Sequence, residues 1–250
     1  MSATGTDRRP LLGTRLVGAA WHCYDSIDST NLEALRLARA GAPLGTVVIA
    51  ATQTSGRGRL GRTWVDLPGR CLLLSVLLAA LRETPGMLTA AAALAAAEAV
   101  DAVAGVRSAI KWPNDLLVSG YKIAGILAEG PAADALTVGI GVNVNGTPED
   151  LPDELRGRAS FLSHEAGRSI AVATLADELA RRLDAVYYLL TSGRSEAVIE
   201  GIAERDCLVG RRIEARRGRS IIRGEARGWL PDGRLLVRDE HGGDVALEAG

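Results

Sequence analysis

Residues 85–103 form an alanine-rich run, in which Ala90 to Ala97 are interrupted only by Leu94. This segment constrains the fold more than any other. It reads as a helix, and its small side chains suit close packing against a sheet. It does not read as a membrane span, because Thr84–Ala97 meets Glu98 and Asp101 before reaching bilayer length, and Cys71–Leu81 is shorter still. The first residues, Met1 to Arg9, carry no apolar stretch of the signal-peptide kind. A soluble, cytoplasmic protein is the expectation, with no membrane partner.

The remaining pattern supplies the sheet. A helix is predicted over Thr30–Ala40, with Thr30 and Glu33 at capping-box spacing and Gly41 to stop it. Strands are predicted at Thr46–Ile49, Cys71–Leu78, Ala109–Lys111 and Leu136–Val144. Leu116–Val118 and Tyr121–Ala128, separated by Ser119-Gly120, form a predicted hairpin. Gly139 and Gly141 inside the last strand mark places where something must approach the backbone closely. Ala171–Leu190 is an amphipathic helix. From about Asp206 short β-like pieces alternate with the turns Arg217-Gly218, Pro231-Asp232-Gly233 and His241-Gly242-Gly243. The expected architecture is therefore α+β: a mixed β-sheet domain packed with helices over residues 1–203, then a small β-barrel over 204–250. A length of 250 residues is ample for both.

Charge and cysteine content exclude several functions. The net charge is −1, from 29 basic and 30 acidic residues, which argues against a protein whose main partner is bulk nucleic acid. Cys23, Cys71 and Cys207 make no paired motif, so neither a disulfide framework nor a thiolate zinc site is expected. His22, His164 and His241 are isolated and read as surface or capping residues. No Ser–His–Asp arrangement is supported. Six arginines between Arg211 and Arg223 read as the wet face of the small barrel, with a nucleotide or acidic-carrier contact as the alternative.

Two segments carry chemistry. Gly56-Arg57-Gly58-Arg59-Leu60-Gly61-Arg62 contains a G-x-G-x-x-G pattern after a strand, yet Arg62-Thr63-Trp64-Val65 follows with no helical periodicity. That excludes a dinucleotide loop, and the missing G-K-[ST] excludes a Walker loop. Three guanidinium forks in seven residues suit a loop folding over a carboxylate or phosphate; a solvated basic loop is the plain alternative. Lys111 and Lys122 are the only lysines beside 27 arginines, and they flank Trp112-Pro113-Asn114-Asp115. Their clustering points to places where a compact ammonium is needed and a planar guanidinium will not substitute. Asp115 could equally cap the turn, and Trp112 could be core.

Taken together, these segments resemble the biotin protein ligase family. The resemblance rests on Asp28-Ser29-Thr30-Asn31, Gln53 with the loop from Gly56 to Trp64, Lys111-Trp112-Pro113-Asn114-Asp115, Lys122-Ile123-Ala124-Gly125-Ile126-Leu127 and Gly139-Ile140-Gly141-Val142-Asn143. It implies the class II synthetase-like biotin/lipoate ligase fold with an SH3-like C-terminal domain. It also implies a two-step ligase of the type without an N-terminal DNA-binding domain. Biotin and ATP, with Mg²⁺, would give biotinyl-5′-adenylate, and biotin would pass to a lysine of a biotin carboxyl carrier domain of a carboxylase such as acetyl-CoA carboxylase. By motif, Ser29, Thr30, Asn31, Gln53, Arg57, Gly58, Arg59, Lys122 and Gly125 would hold biotin. Arg62, Trp64, Lys111, Asn114, Gly141 and Asn143 would hold ATP. Lys122, Arg59 and Lys111 would carry the catalysis. The rivals are a lipoate ligase and a biotin-binding corepressor without catalysis.

Overall fold

Strands Cys71–Ala79 and Ala135–Asn143 pair antiparallel at the middle of an eight-stranded sheet, and their period-two pattern sets its two faces. Leu72, Leu74, Val76 and Leu78, with Val138, Ile140, Val142 and Val144, enter the main core. The opposite face of the same strands is Cys71, Leu73, Ser75, Leu77, Thr137, Gly139, Gly141 and Asn143. One face is thus uniformly aliphatic, and the other mixes leucine with small and polar residues.

The computed structural model describes residues 6–8, 11, 13–80, 85–132, 135–217 and 220–248. In chain order the elements are β1 (Thr6–Arg8), β2 (Trp21–Ile27), α1 (Thr30–Arg39), β3 (Val47–Gln53), β4 (Cys71–Ala79), α2 (Pro85–Ala104), β5 (Ser108–Lys111), β6 (Asp115–Val118), β7 (Tyr121–Ala132) and β8 (Ala135–Asn143). They continue with α3 (Leu162–Ala166), α4 (Val172–Thr191), α5 (Ser195–Ala203), β9 (Arg212–Arg217), β10 (Ser220–Trp229), β11 (Leu235–Asp239) and β12 (Asp244–Leu247). The large sheet has the order β1-β2-β3-β4-β8-β7-β6-β5, and only β2 and β3 run parallel. The small sheet is antiparallel, β12-β11-β10-β9.

The alanine helix behaves as its composition dictates. By length and composition alone α2 could cross a membrane, but 72% of its most apolar window is buried inside the protein. Its alanines let it lie against the sheet while α4 packs along its other side. Helix α1 covers the opposite face, where Ile27, Ala34, Val48 and Ala50 form a separate small cluster. The hairpin β6–β7 turns at Ser119 and Gly120, both at positive φ (52° and 87°), the twist-matched two-residue turn expected there.

Some local expectations change. The residue capping α1 is Ser29, and it makes no side-chain capping bond. Thr30 begins the helix and donates its hydroxyl to Gln53 instead, while Glu33 accepts from Tyr24 and Arg36, so the Thr30–Glu33 spacing is not a capping box. Strand β3 runs on to Gln53, beyond the β-branched stretch that signals it. Strands β1 and β2 and helices α3 and α5 are additions. The burial along β2 does not alternate, and α5 shows its helical period through a single buried pair four residues apart, Val198 and Ile202. Arg217-Gly218 cannot be judged as a turn, because residues 218–219 lie outside the described residues.

Asp184 is the polar exception on the buried stripe of α4, at 3% exposure. Its carboxylate accepts the backbone N–H groups of Arg15, Leu16 and Val17 at 2.8, 2.7 and 2.9 Å, pinning the N-terminal loop to the helix. Asp184→Ala strands those donors. It is expected to cost about 3 kcal/mol, read as a lower urea midpoint at unchanged slope. A loss below about 0.5 kcal/mol would show that water replaces the carboxylate at little cost.

A second anchor joins the two sheets. Asp101 of α2 accepts from Ser108 at 2.6 Å and pairs with Arg205 at 2.6 Å. Ile110 of β5 donates to Arg205 O (2.8 Å) and accepts from Cys207 N (3.1 Å), so the segment leading to the small sheet runs along β5. The Trp112 indole donates to Gly233 O at 3.2 Å and packs on the small sheet's core. Trp112 is therefore joint rather than interior of the large sheet.

Candidate functional site

Every site residue named from the sequence lines one cavity of about 750 Å³ on the α1 face of the large sheet. They arrive from the start of α1, the end of β3, the arginine loop, the β5–β6 turn, β7 and β8. Ser75 and Glu129 were not among them but belong to the same constellation. Ser75 carried a signal, as a lone hydroxyl within an apolar strand; Glu129 carried none.

The inner end is a hydrogen-bond network with fixed polarity. Gln53 Oε1 accepts from Thr30 N (2.7 Å) and Thr30 Oγ1 (3.0 Å). A backbone N–H can only donate, so this fixes the amide orientation. The Gln53 amide N–H groups are thereby left as the donors that side chain can offer a ligand. Ser29, the helix N-cap, does not spend its hydroxyl on capping and lines the cavity. Asn31 is engaged throughout by protein. Its Nδ2 donates to Glu129 Oε2 (2.8 Å) and Leu127 O (3.2 Å), and its Oδ1 accepts from Ser75 (2.6 Å). Ser75 also lies 2.7 Å from Thr30 Oγ1. The close approach expected at Gly139 is the Asn31 amide, since any Cβ there would overlap it.

The outer end is cationic. Register between β6 and β7 slips at Leu116/Leu117, where Ala124 and then Lys122 are the partners, leaving Ile123 as the extra residue of a bulge. The bulge turns Lys122 to the face that carries Gly125, Leu127 and Glu129; strict alternation would have sent it toward the core. Lys122 Nζ pairs with Asp115 at 2.6 Å and lies 5.9 Å from the centre of the Trp64 ring. Asp115 is thus an ion-pair partner, whatever else it does at its turn. Asn114 donates to Ile126 O (2.8 Å) and accepts from Arg59 (3.2 Å), so the turn after the cis Trp112–Pro113 peptide holds the loop's middle arginine. Partial burial pulls the Arg59 guanidinium below its usual pKa, opposed by Asp115 and assisted by Arg62. Arginine stays charged through such a shift.

The arginine loop is a small hairpin. Arg57 and Thr63 bridge, Gly58 N donates to Arg62 O at 2.7 Å, and Trp64 N donates to Gly56 O at 3.1 Å. No helix follows its last glycine; extended chain does, as the sequence requires. Leu60 stands at its tip, 75% exposed and at φ 57°. Trp64 lies over Gly141, where an added Cβ would come within 2.6 Å of the indole, and over Gly125, at 3.1 Å. Its buried indole N–H has no hydrogen-bond partner. Asn143 donates to Ser160 O at 3.2 Å. Nearby, burial pushes the Cys71 thiol up to about 11, so it stays protonated.

The small sheet completes the wall through Ile213, Glu214, Ala215 and Arg216 of β9, with Leu208 and Glu248. Arg216 lines this wall while remaining exposed, as Arg211, Arg212 and Arg223 are. No cluster of three or more His, Cys, Asp or Glu residues suited to a metal occurs among the described residues.

Fold and site together define an α+β small-molecule site, with neutral donors at its inner end and fixed cations at its mouth. Residues 23–145 match the family model described as the Biotin/lipoate A/B protein ligase family. The bifunctional ligase/repressor BirA of Bacillus subtilis is 41% identical over 166 residues, covering 64% of this chain and 51% of that protein. The biotin–[acetyl-CoA-carboxylase] ligase of Mycobacterium tuberculosis is 32% identical over 246 residues, covering 93% and 89%. A solved structure, the Aquifex aeolicus biotin protein ligase in complex with biotin and ATP, superposes with a TM-score of 0.82 at 27% identity, covering 92% and 96% of the two chains. The chain belongs to the biotin protein ligase family.

Proposed function

We propose that this chain is an ATP-dependent, AMP-forming biotin–[biotin carboxyl carrier protein] ligase. A biotin carboxylate oxygen attacks the α-phosphorus of ATP, the bond to pyrophosphate breaks, and biotinyl-5′-adenylate forms. A lysine amine of a carrier domain, on a carboxylase such as acetyl-CoA carboxylase, then attacks the acyl carbon. AMP leaves and the amine loses a proton. The observation that carries this reading is the polarity of the cavity. Donors that suit a ureido carbonyl sit at one end, and cations that suit a carboxylate against a polyphosphate sit at the other.

Gln53, Ser29 and Thr30 bind the ureido head in this reading, with Asn31 holding their geometry in place. Arg57, Gly58 and Arg59 lie over biotin, and Gly125 leaves space beside it. Lys122 sits between the biotin carboxyl and the phosphoryl oxygens, where charge develops in the first step. Lys111 and Arg62 neutralise phosphate charge; Trp64, Asn114, Gly141 and Asn143 frame the nucleotide. The carboxylates on this part of the cavity wall are Asp115, paired with Lys122, Glu214, paired with Arg223, and Glu248. Mg²⁺, ordinarily held by one or two carboxylates plus phosphate oxygens, would rest chiefly on the phosphate oxygens in this reading, with Glu248 the carboxylate outside those two pairs. When bound, Mg²⁺ would offset phosphate charge. Loop and indole shield the anhydride from water until the carrier docks.

Residues 1–203 form the catalytic domain in this proposal and 204–250 an SH3-like domain. The enzyme is cytoplasmic and acts without DNA or membrane. Because relatives with and without repressor function match, ligase activity without repression is part of the proposal, and specific operator binding by this chain would overturn that part. The central experiment is ATP–pyrophosphate exchange with biotin and with lipoate, followed by transfer to a carrier domain. Exchange with biotin and labelling of one carrier lysine are expected. Exchange with lipoate alone, or with neither, would refute the assignment.

A further inference from the structure

We propose that Glu129 is a positioning residue that locks the arginine loop to the inner end of the cavity. Each of its oxygens has a different task. Oε1 meets Arg57 Nη2 at 2.8 Å, and Oε2 accepts from Asn31 Nδ2 at 2.8 Å. One carboxylate therefore ties the loop's first arginine to a buried amide on α1.

The tie continues inward. Asn31 Oδ1 accepts from Ser75, Ser75 lies within hydrogen-bond distance of Thr30 Oγ1, and Thr30 donates to Gln53. Asn31 has little freedom to adopt another position. It is 4% exposed, its second N–H is held by Leu127 O, and it occupies the space that a side chain at position 139 would fill. An exposed ion pair alone would contribute little. Here the carboxylate side chain is 21% exposed and is held on its other oxygen, so Arg57 meets an acceptor that is already oriented. Moving the loop away unpairs Glu129, and disturbing Asn31 turns Glu129 away from Arg57.

This inference rests on biotin occupying the inner end, and it makes Glu129 act on biotin without touching it. Glu129→Gln keeps an acceptor for Asn31 but loses the charge that holds Arg57. The biotin KM for ATP–pyrophosphate exchange is expected to rise about 10-fold while kcat changes less than about threefold. Without ligands, trypsin is expected to cut at Arg57, Arg59 or Arg62 about 10-fold faster than in the wild type. The double variant Arg57→Gln/Glu129→Gln is expected to be no worse in biotin KM than the worse single variant, because both remove the same link. Wild-type KM and wild-type trypsin rate in Glu129→Gln, or additive losses in the double variant, would overturn the proposal. Should Glu129→Gln prove insoluble, Glu129→Asp retracts the carboxylate by one methylene and is read in the same assays, with wild-type values again refuting the lock. A wild-type protein without biotin-dependent exchange would refute the ligase reading instead, and the trypsin comparison would still decide the lock.

Discussion

Lys122→Ala is expected to slow biotin-dependent ATP–pyrophosphate exchange about 10²–10³-fold while the protein stays folded. The Lys122 side chain is 36% exposed and takes no part in the core, so stability has little to lose. The chemistry loses more than one cation. Asp115, now 2.6 Å from Lys122, would be left unpaired beside a carboxylate and a polyphosphate. Adding Asp115→Asn to Lys122→Ala should therefore recover part of the rate, though neither variant supplies the missing charge. Lys122→Arg should not restore the rate, since a planar fork is longer than the ammonium it replaces. Exchange rates, with urea midpoints as the folding control, decide the matter. Undiminished exchange in Lys122→Ala would remove Lys122 from the mechanism.

Gly141→Ala adds one methyl group and is expected to lower kcat/KM for ATP about 100-fold. The new Cβ would sit 2.6 and 2.7 Å from Cε2 and Cζ2 of Trp64, and a rigid ring cannot bend away as a flexible chain would. The indole must move by about 1 Å to reach ordinary contact distance. Gly125 stands under its other edge, so the displacement carries the ring out of the cleft that the two glycines make for it. The ATP KM should rise more than the biotin KM, because the network around Gln53 and Thr30 lies at the other end. Trp64→Phe in the same background, with a smaller ring, should return part of the lost activity. Equal ATP kinetics for Gly141→Ala and wild type would show that Trp64 does not frame the nucleotide.

Much of this was legible in the residues, for identifiable physical reasons. The alanine helix, the hairpin at Ser119-Gly120 and the amphipathic α4 follow from local periodicity and turn chemistry. Gly139 and Gly141 announced close approaches that the structure fills with Asn31 and Trp64. What stayed hidden depends on register or on distant partners. The bulge at Ile123 that redirects Lys122 leaves no local signature, since the sequence there reads as a continuous strand. Glu129 looks like an ordinary strand-end carboxylate until Arg57 and Asn31 are placed beside it. Thr30 and Glu33 matched a capping rule, but Gln53 took the threonine, a tertiary bond overriding a local preference. The cationic loop itself was visible; the ties of Arg57 to Glu129 and of Arg59 to Asn114 were not, because they join positions 72 and 55 residues apart.

The chain that runs from α5 along β5 has a consequence for self-association. Strand β5 is the outermost strand of the large sheet, and an outermost strand exposes unspent backbone groups that a second copy can zip onto. Here the N–H of Ile110 is already bonded to Arg205 O and its C=O to the Cys207 N–H, and the salt bridge from Arg205 to Asp101 secures that segment. The protein thus guards one flank of its own sheet with the same few residues that attach its second sheet. Loosening that attachment would uncover an adhesive edge, and aggregation would accompany any detachment of the smaller sheet.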